Sequence, residues 1–279
     1  MSVRIIVDST ADLASEVREQ VKIVPLTVYF GDEEYLDGVT MDYIQFYDKL
    51  ATCDSLPTSS QPNPAMFGDV YREVTEAGDS AVVITISSKL SGTYQSAMIA
   101  ASDYDDIYVV DGMTATIGTG ALAKYAFQLA DDGMDAKDIA QQLEIAKDKV
   151  RIVGMIDTLE FLQRGGRISK TVAIAGGMLS VKPVISVQDG VINMISKARG
   201  LKQGCKQIGV EVEKMGEVDF DKPVMLGFTG LSSGNLDKFE ETYGDLWKKG
   251  ENEYGKAAIG SVIGTHVGPG AFAVAFFLK

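Results

Sequence analysis

Residues 80–111 have the sequence SAVVITISSKLSGTYQSAMIAASDYDDIYVVD, and this stretch decides the fold class. The β-branched run 80–86 predicts a buried strand, residues 94–101 predict a helix, and residues 107–110 predict the next strand. A helix between two strands is typical of a parallel sheet, because parallel neighbours need a long crossover connection. We therefore predict an α/β fold for this part of the chain.

The same alternation extends over residues 1–153. It predicts an N-terminal α/β domain with a mainly parallel sheet that is flanked by helices. The further predicted elements are strands at 3–7 and 23–30, a helix ending near Gln20, a helix opening at Pro64, and helices at 116–130 and 136–149.

From Arg151 onward the pattern changes, with a predicted strand at 150–155 and a short predicted helix at 159–162. Residues 180–187 and 191–197 predict two strands, and the Asp189-Gly190 pair between these apolar runs is a hairpin signal. We predict a C-terminal α/β domain, residues 154–279, with a mixed or antiparallel sheet and helices. Because no linker separates the domains, we expect a fixed interface with a ligand between them. The predicted helices of this domain are at 169–176, 201–215 and 235–247.

The composition argues against several classes of protein. The formal net charge is −13, whereas nucleic acids and anionic membranes are bound by basic faces. No apolar stretch reaches the length of a membrane span, and residues 1–8 are typical of a strand rather than a signal peptide. Two cysteines and one histidine are too few to indicate a disulfide framework or a transition-metal site. We predict a cytoplasmic protein without a metal, a cofactor or stable membrane insertion.

The single histidine lies in a glycine-rich segment, residues 264–270, with the sequence GTHVGPG. Strand-like apolar residues precede this segment at 257–263 and follow it at 272–277. We therefore expect His266 on a tight loop between two buried strands, where binding groups are commonly displayed. The alternative is a histidine that only hydrogen-bonds its own loop.

Two other segments are rich in hydroxyl groups. Residues 56–62, LPTSSQP, are expected between two helices, and residues 87–93, SSKLSGT, follow a core strand and open a helix. Ligands of parallel sheets bind beyond the carboxyl ends of the strands, and a helix N-terminus there favours an anion. Helix capping explains either segment alone. Together with His266, the two segments predict an oxyanion site.

Five segments in order along the chain carry a more specific signal. They are residues 8–13 (DSTADL), 57–62 (PTSSQP), 86–97 (ISSKLSGTYQSA), 157–169 (DTLEFLQRGGRIS) and 264–270 (GTHVGPG). Together they resemble the successive signatures of the DegV family. The resemblance implies a two-domain protein that binds a long-chain fatty acid as the acyl-carrier subunit of a bacterial fatty acid kinase. The separate catalytic subunit phosphorylates the bound carboxylate for phospholipid synthesis, so the carrier itself is not an enzyme.

The resemblance also implies which residues form the carboxylate site. Relatives often have threonine where this chain has Ser59, so the hydroxyl donor is retained while the methyl group is lost. The implied site consists of Ser59, Ser60, Ser91, Gly92, Thr93 and His266.

Two arginines, Arg167 and Arg199, resemble positively charged positions near the phosphoryl-transfer end, facing the partner or its phosphates. The alternative for both is a structural salt bridge. For the acyl chain, we look to C-terminal apolar residues, because methionine in particular adapts to irregular apolar shapes. The alternative for each is plain core packing. The candidates are Met155, Ile174, Met178, Leu179 and Met194.

Two other classes of function stay open. One is a serine hydrolase with Ser91 as the nucleophile and His266 as the base. Ser91 does not lie in a Gly-x-Ser-x-Gly motif, and no acidic residue that would orient His266 is evident. The other is a subunit of a small-molecule kinase in which His266 holds a carbonyl substrate covalently, which rests on fold analogy alone. The sequence contains no Gly-x-x-x-x-Gly-Lys-Ser/Thr loop that would indicate a nucleotide site.

Overall fold

The structure is a computed structural model that describes residues 2–168, 181–247 and 254–279. These residues form three β-sheets and the helices that cover them. The predicted helix at 169–176 and the predicted lining residues Ile174, Met178 and Leu179 lie outside the described residues.

Four of the described strands form a parallel N-terminal sheet. Numbered along the chain, they are β1 Val3–Asp8, β2 Lys22–Val24, β6 Ser80–Thr85 and β7 Ile107–Asp111. Their order across the sheet is β2-β1-β6-β7, and all neighbours are parallel. In β1, Ile5 and Val7 belong to one apolar cluster and Ile6 to another, so both faces of the sheet are buried. The prediction of a parallel, covered sheet is confirmed.

Helices cover the two faces of the N-terminal sheet. They are α1 Ser15–Arg18, α3 Pro64–Glu76, α4 Thr93–Ala101, α5 Thr116–Asp131 and α6 Ala136–Ala146, which continues into a 3-10 turn at Lys147–Lys149. The start of α3 is fixed locally, because Pro64 occupies the first turn and the Asn63 side chain accepts a hydrogen bond from the Met66 N–H. The predicted opening of this helix at Pro64 is confirmed.

A small antiparallel sheet contains β3 Thr27–Phe30, β4 Glu33–Leu36 and β5 Thr58–Ser60, and helix α2 spans Tyr43–Leu50. The prediction of one continuous strand at 23–30 is wrong. That segment is divided between β2 and β3 at Pro25, which has no N–H to donate to a sheet ladder. The segment 56–62 does not run between two helices as a plain loop, because it contains β5, which pairs with β3.

The described C-terminal residues form a mixed, six-stranded C-terminal sheet. Its strands are β8 Val150–Met155, β9 Val181–Gln188, β10 Val191–Arg199, β11 Met225–Phe228, β12 Gly255–Ala258 and β13 Phe272–Phe277. The order is β10-β9-β8-β13-β11-β12, with β11 and β12 parallel and the other neighbours antiparallel. The helices here are α7 Glu160–Arg164, α8 Gly200–Met215, α9 Gly234–Trp247 and α10 Ser261–Val267.

The predicted hairpin joins β9 and β10. Asp189 and Gly190 have φ values of 53° and 78°, and positive φ at both central positions is what a tight two-residue hairpin turn requires. The prediction of an antiparallel component in this half is therefore confirmed.

Helix α5 lies between the N-terminal and C-terminal sheets and contacts strands of both. Glycines allow this close approach. A Cβ atom at Gly118 would lie 2.9 Å from Ile152 Cδ1 of β8, and one at Gly120 would lie 2.3 Å from the Asp12 carbonyl oxygen. The two halves consequently share one apolar cluster.

The two-part α/β architecture agrees with the prediction, whereas its internal boundary needs adjustment. The predicted division between residues 153 and 154 lies inside β8, which pairs with β13 and β9 of the C-terminal sheet. Since β8 belongs to that sheet as a whole, we propose that the division lies at Val150.

The segment that carries His266 is a helix, and the prediction of a tight loop between two strands is wrong. The apolar residues at 257–263 divide between β12 and the first turn of α10, which ends at Gly268 with a φ of 75°. A short apolar run can form either a strand or a helix. Here the helix face Val262, Ile263, His266 and Val267 is directed toward one cavity.

Candidate functional site

A cavity of about 280 Å³ lies between the C-terminal sheet, helix α10 and loops of the N-terminal half. This size is near the lower limit of about 300 Å³ for small-molecule pockets. The wall is mostly aliphatic, so it suits an apolar ligand. The N-terminal half contributes Leu26, Ile86, Leu90 and Ala115; the C-terminal half contributes Ile152, Ile156, Leu162, Ile185, Val187, Ile192, Ile259, Val262, Ile263, Val267, Ala271, Phe272 and Ala273.

Strand β8 forms part of this wall through its alternation. Ile152, Gly154 and Ile156 lie on the side of the sheet that faces the cavity. A Cβ atom at Gly154 would lie 2.7 Å from Ala273 Cβ, so glycine allows β8 and β13 to meet there. Met155 belongs instead to the apolar cluster on the opposite face, under α8. Met155 is therefore a core residue and does not line the cavity as predicted.

Met194 also has a different position from the predicted one. It packs against the cluster that contains Ile156, Leu162 and Ile185, next to the cavity, but it is not among the described residues of the wall. The β-branched lining residues of β8 and β9 are not among the predicted ones, because the prediction rests on residue type. The alternating pattern of those strands was a signal, but it did not reveal which face is directed to a cavity.

One end of the cavity is polar, and His266 lies there with Ser59, Ser60 and Ser91. A hydrogen bond of 2.8 Å joins Ser59 Oγ and His266 Nε2. The two residues are 207 positions apart in sequence, and they meet because β5 and α10 pack together. The three predicted segments therefore converge on one site. Ser60 is the second serine of β5, with its Oγ 3.4 Å from Tyr29 Oη.

The Ser91 segment forms the start of helix α4. Ser91 Oγ lies 2.8 Å from Thr93 Oγ1 and accepts a hydrogen bond from the Thr93 N–H. Thr93 is fully buried and supports Ser91, whereas Gly92 lines the cavity. A Cβ atom at Gly92 would lie 2.1 Å from Gln61 Oε1, so glycine allows the two segments to approach. Gln61, a lining residue that the sequence analysis did not select, donates to Ser96 Oγ.

The His266 imidazole is neutral at physiological pH. Burial, with a smaller contribution from the Arg167 charge, lowers the pKa of His266 to about 4. Nδ1 has no hydrogen-bond partner among the described residues, and the Gly165 backbone lies against it, since a Cβ atom there would be 2.3 Å away. A neutral imidazole has one donor and one acceptor nitrogen. His266 can therefore hydrogen-bond a carboxylate without bringing a positive charge into the cavity.

The structure separates the two arginines that the resemblance grouped. Arg167 lines the cavity, and its side chain donates to the carbonyl oxygens of Leu90, at 3.1 Å, and of Gly165. Arg199 is exposed at the end of β10 and is not among the described lining residues; its backbone N–H donates to the Gln203 side chain. Arg167 is thus part of the site, and the orientation of Arg199 toward a partner stays a prediction.

Two further polar residues, Thr10 and Thr116, line the cavity and were not predicted as site residues. Their hydroxyl groups donate to the buried carboxyl groups of Asp8 and Asp12, respectively. Because these hydroxyls are already bonded to protein atoms, the threonines present little unsatisfied polarity to the cavity. Thr116 has a φ of 48°, which is unusual for a β-branched residue.

A family model described as "Uncharacterised protein, DegV family" matches residues 2–279. The chain belongs to the DegV family. Among its relatives in this family, Protein DegV of Bacillus subtilis is 32% identical over 285 residues, with 100% of both chains covered. The five signature segments are thus embedded in similarity that extends over the whole chain.

Solved structures of other DegV family members have the same fold. A structure that concerns fatty acid binding of a DegV family protein from Thermus thermophilus has a TM-score of 0.89, with 29% identity and 100% of both chains covered. A stearic acid-binding protein from Eubacterium ventriosum has a TM-score of 0.85, with 28% identity and coverage of 100% of this chain and 99% of that chain. These similarities confirm the predicted fold class.

Within residues 2–168, 181–247 and 254–279, no group of three or more His, Cys, Asp or Glu side chains could hold a metal ion. In the same described ranges, no helix is long and apolar enough to cross a membrane.

Proposed function

We propose that this DegV family protein binds a long-chain fatty acid in the cavity and presents its carboxylate to a separate fatty acid kinase. The observation that carries the proposal is a mostly apolar cavity with a polar end, where Ser59, Ser91 and His266 lie. The resemblance to fatty-acid-binding DegV proteins supports the class of ligand.

The apolar wall accounts for most of the affinity. A saturated C16 tail has about 14 methylene groups, and their burial contributes roughly 11 kcal/mol at about 0.8 kcal/mol each. Association and ordering cost about 4–15 kcal/mol. The head group therefore needs to be oriented rather than bound tightly.

The polar end is suited to orientation. Hydroxyl groups and a neutral imidazole hydrogen-bond a carboxylate and can rearrange when a phosphoryl group is added to it. A buried lysine would bring a larger desolvation penalty and a stronger ion pair. Among the described residues, Arg167 is the basic side chain that lines the cavity, and it contributes to the lowered pKa of His266.

A serine hydrolase fits the geometry less well. The Ser91 hydroxyl is bonded to Thr93, and His266 is bonded to Ser59 instead. No described carboxylate accepts a hydrogen bond from His266 Nδ1, and an imidazole with a pKa of about 4 is a weak general base. The carrier is therefore the better assignment, with acyl phosphate formed on the partner kinase and used in phospholipid synthesis.

The other alternative, a kinase subunit that attaches a carbonyl substrate to His266, has a specific obstacle. The Gly165 backbone lies against Nδ1, and Ser59 occupies the hydrogen-bonding position of Nε2. A covalent adduct at Nε2 would replace the hydrogen bond to Ser59, and an adduct at Nδ1 would meet the Gly165 backbone.

The test is to purify the protein from a bacterial host, extract it with organic solvent and identify acyl chains by mass spectrometry. We expect a long-chain fatty acid, and the stripped protein should take up added palmitate. Absence of both would refute the proposal.

A second assay tests presentation to a kinase. Palmitate-loaded protein is incubated with ATP and a bacterial fatty acid kinase catalytic subunit, and acyl phosphate is trapped with hydroxylamine. The parent should support turnover. His266→Ala should retain its bound lipid but lose most of the turnover. The matched control, surface variant Lys137→Ala, should behave as the parent. Ester hydrolysis by the parent that disappears in His266→Ala would favour the hydrolase instead.

A further inference from the structure

Two buried carboxyl groups hold the N-terminus of helix α10. The Gly260 N–H donates to Asp12 Oδ1 at 2.7 Å, and the Ser261 N–H donates to Asp37 Oδ1 at 3.0 Å. Both aspartates are only 5% exposed, and they lie 248 and 224 residues before their partners. The first N–H groups of a helix have no partner within the helix, so their acceptors determine where it begins.

The middle of α10 is fixed by aromatic rings of α2. A Cβ atom at Gly264 would lie 2.6 Å from Phe46 Cε1 and 2.7 Å from Tyr47 Oη. Glycine therefore lets α10 lie directly on these rings, and the ring contacts prevent a shift of the helix toward α2. The carboxyl contacts at the first turn determine its remaining position along the axis.

The last turn of α10 carries the polar end of the cavity. His266 is five residues after Ser261, which corresponds to about 7.5 Å along the helix axis. A helix this short moves as one body, so a change at its first turn is transmitted to His266. The hydrogen bond between Ser59 Oγ and His266 Nε2 is 2.8 Å long, and it is kept only if His266 moves by well below 1 Å.

We propose that Asp12 and Asp37 are positioning residues for the head-group end of the cavity: they fix the start of α10 and thereby hold His266 at Ser59. The contacts of the two aspartates with α10 do not depend on the proposed function. Only the expected effect on a bound fatty acid rests on the proposed function.

Each aspartate has a defined set of polar neighbours. Asp12 also accepts from Thr116 Oγ1, and the charges that influence it come from Arg18 and Asp37. Asp37 is hydrogen-bonded by α10 and interacts with Ser9. Protonation of either carboxyl group still leaves one oxygen as an acceptor. The positioning contact therefore depends on the acceptor oxygen and not on the charge.

The test uses the single histidine of the chain as a spectroscopic probe. The imidazole signals of ligand-free protein labelled with ¹⁵N-histidine are followed by NMR against pH. In the parent, the pKa of His266 is about 4. Asp37→Ala removes the acceptor, so α10 should shift, water should reach the imidazole, and the pKa should rise by about one or more toward its ordinary value. Asp37→Asn retains an acceptor oxygen and should restore the parent value.

Asp8→Ala is the matched control. Asp8 is also fully buried and accepts backbone hydrogen bonds, but its donors are Thr10 and Ile86 rather than residues of α10. The Asp8→Ala variant should have a lower melting temperature than the parent but the same pKa at His266. If Asp37→Ala does not fold, Asp12→Ala and Asp12→Asn make the same comparison at the Gly260 N–H.

Fatty acid binding separates this inference from the proposed function. With ¹³C-carboxyl palmitate, Asp37→Ala should retain bound lipid, as His266→Ala should, but its carboxyl carbon signal should be shifted from that of the parent, whereas Asp37→Asn should restore the parent signal. An unchanged His266 pKa in the alanine variant, or an equal change in Asp8→Ala, would overturn the positioning role. A parent that binds no palmitate would refute the proposed function while leaving the pKa result interpretable.

Discussion

Replacing Asp12 by asparagine should make the protein more stable at neutral and alkaline pH. Asp12 is 5% exposed, and its burial raises the pKa of its carboxyl group from 3.8 to about 7. Two hydrogen bonds, from Gly260 N–H and Thr116 Oγ1, oppose this shift without cancelling it. The ionised carboxylate is thus the unfavourable form in the folded state.

The sign and size follow from proton linkage. Between pH 4 and 7 the folded protein binds a proton at Asp12 that the unfolded chain has lost, so the free energy of unfolding falls as pH rises. A pKa difference of about 3 corresponds to about 4 kcal/mol. Asparagine can accept the Gly260 hydrogen bond but does not ionise. We expect Asp12→Asn to equal the parent near pH 4 and to exceed it by about 2–4 kcal/mol at pH 8.

The assay is urea unfolding at constant ionic strength from pH 4 to 8, followed by fluorescence of the single tryptophan, Trp247, which is 1% exposed. The contribution of His266 to the free energy of unfolding has the opposite sign. Because its pKa is lowered in the folded state, the protein gains stability as pH rises from about 4 to 6.5. This contribution is common to both proteins, so it cancels in their difference.

Asp79→Asn provides a control of opposite sign. The Ser2 N–H and Arg4 lower the pKa of Asp79 from its ordinary value of 3.8, so the advantage of the parent over the asparagine variant develops below pH 4 and should be constant from pH 4 to 8. A difference between parent and Asp12→Asn that is constant across pH, or largest at pH 4, would show that Asp12 ionises normally and would refute the reasoning.

Three further outcomes are expected. Gly154→Val should abolish palmitate uptake, because even a Cβ atom there meets Ala273 Cβ at 2.7 Å. Gly68→Ala in α3, with no heavy atom within 4 Å of its Cβ, is the control in the same uptake assay, and equal uptake by both variants would contradict the cavity assignment. Ser91→Ala should weaken the palmitate-induced rise in melting temperature, in line with a loss of roughly 1.5–3 kcal/mol for a hydrogen bond to a charged group; an unchanged rise would remove Ser91 from the head-group site. Arg199→Glu should leave lipid content and melting temperature unchanged yet weaken coupling to the kinase, most visibly at low salt, and salt-independent parent turnover would argue against a partner-facing role.

Predictions from the sequence are confirmed where local rules decide the structure. The β-branched run before Ser87 and the crossover helix after it predicted the parallel sheet, and the Asp189-Gly190 pair predicted the hairpin. The structure places Ser59, Ser91 and His266 in the lining of one cavity, and their role as a carboxylate site stays a prediction. The kinase partner, the cytoplasmic location and the orientation of Arg199 stay predictions.

Predictions from the sequence are wrong where the deciding contacts come from distant parts of the chain. Met155 was selected for its residue type, but the packing of α8 on one face of β8 and the cavity on the other determines which residues line the cavity. Alternation along a strand defines two faces and does not reveal what covers each.

The chain alone determined the element types that depend on backbone sterics and residue periodicity, including a helix opening at Pro64 and a hairpin at Asp189-Gly190. The secondary structure of the apolar run at 257–263 was not determined in this way, because a short apolar run fits a strand and a helix almost equally. Only the tertiary structure decided that α10 begins at Ser261, since its N–H acceptors are Asp12 and Asp37, more than 200 residues earlier. Through that helix, contacts between distant residues also decided that the one histidine meets Ser59 at the polar end of an apolar cavity.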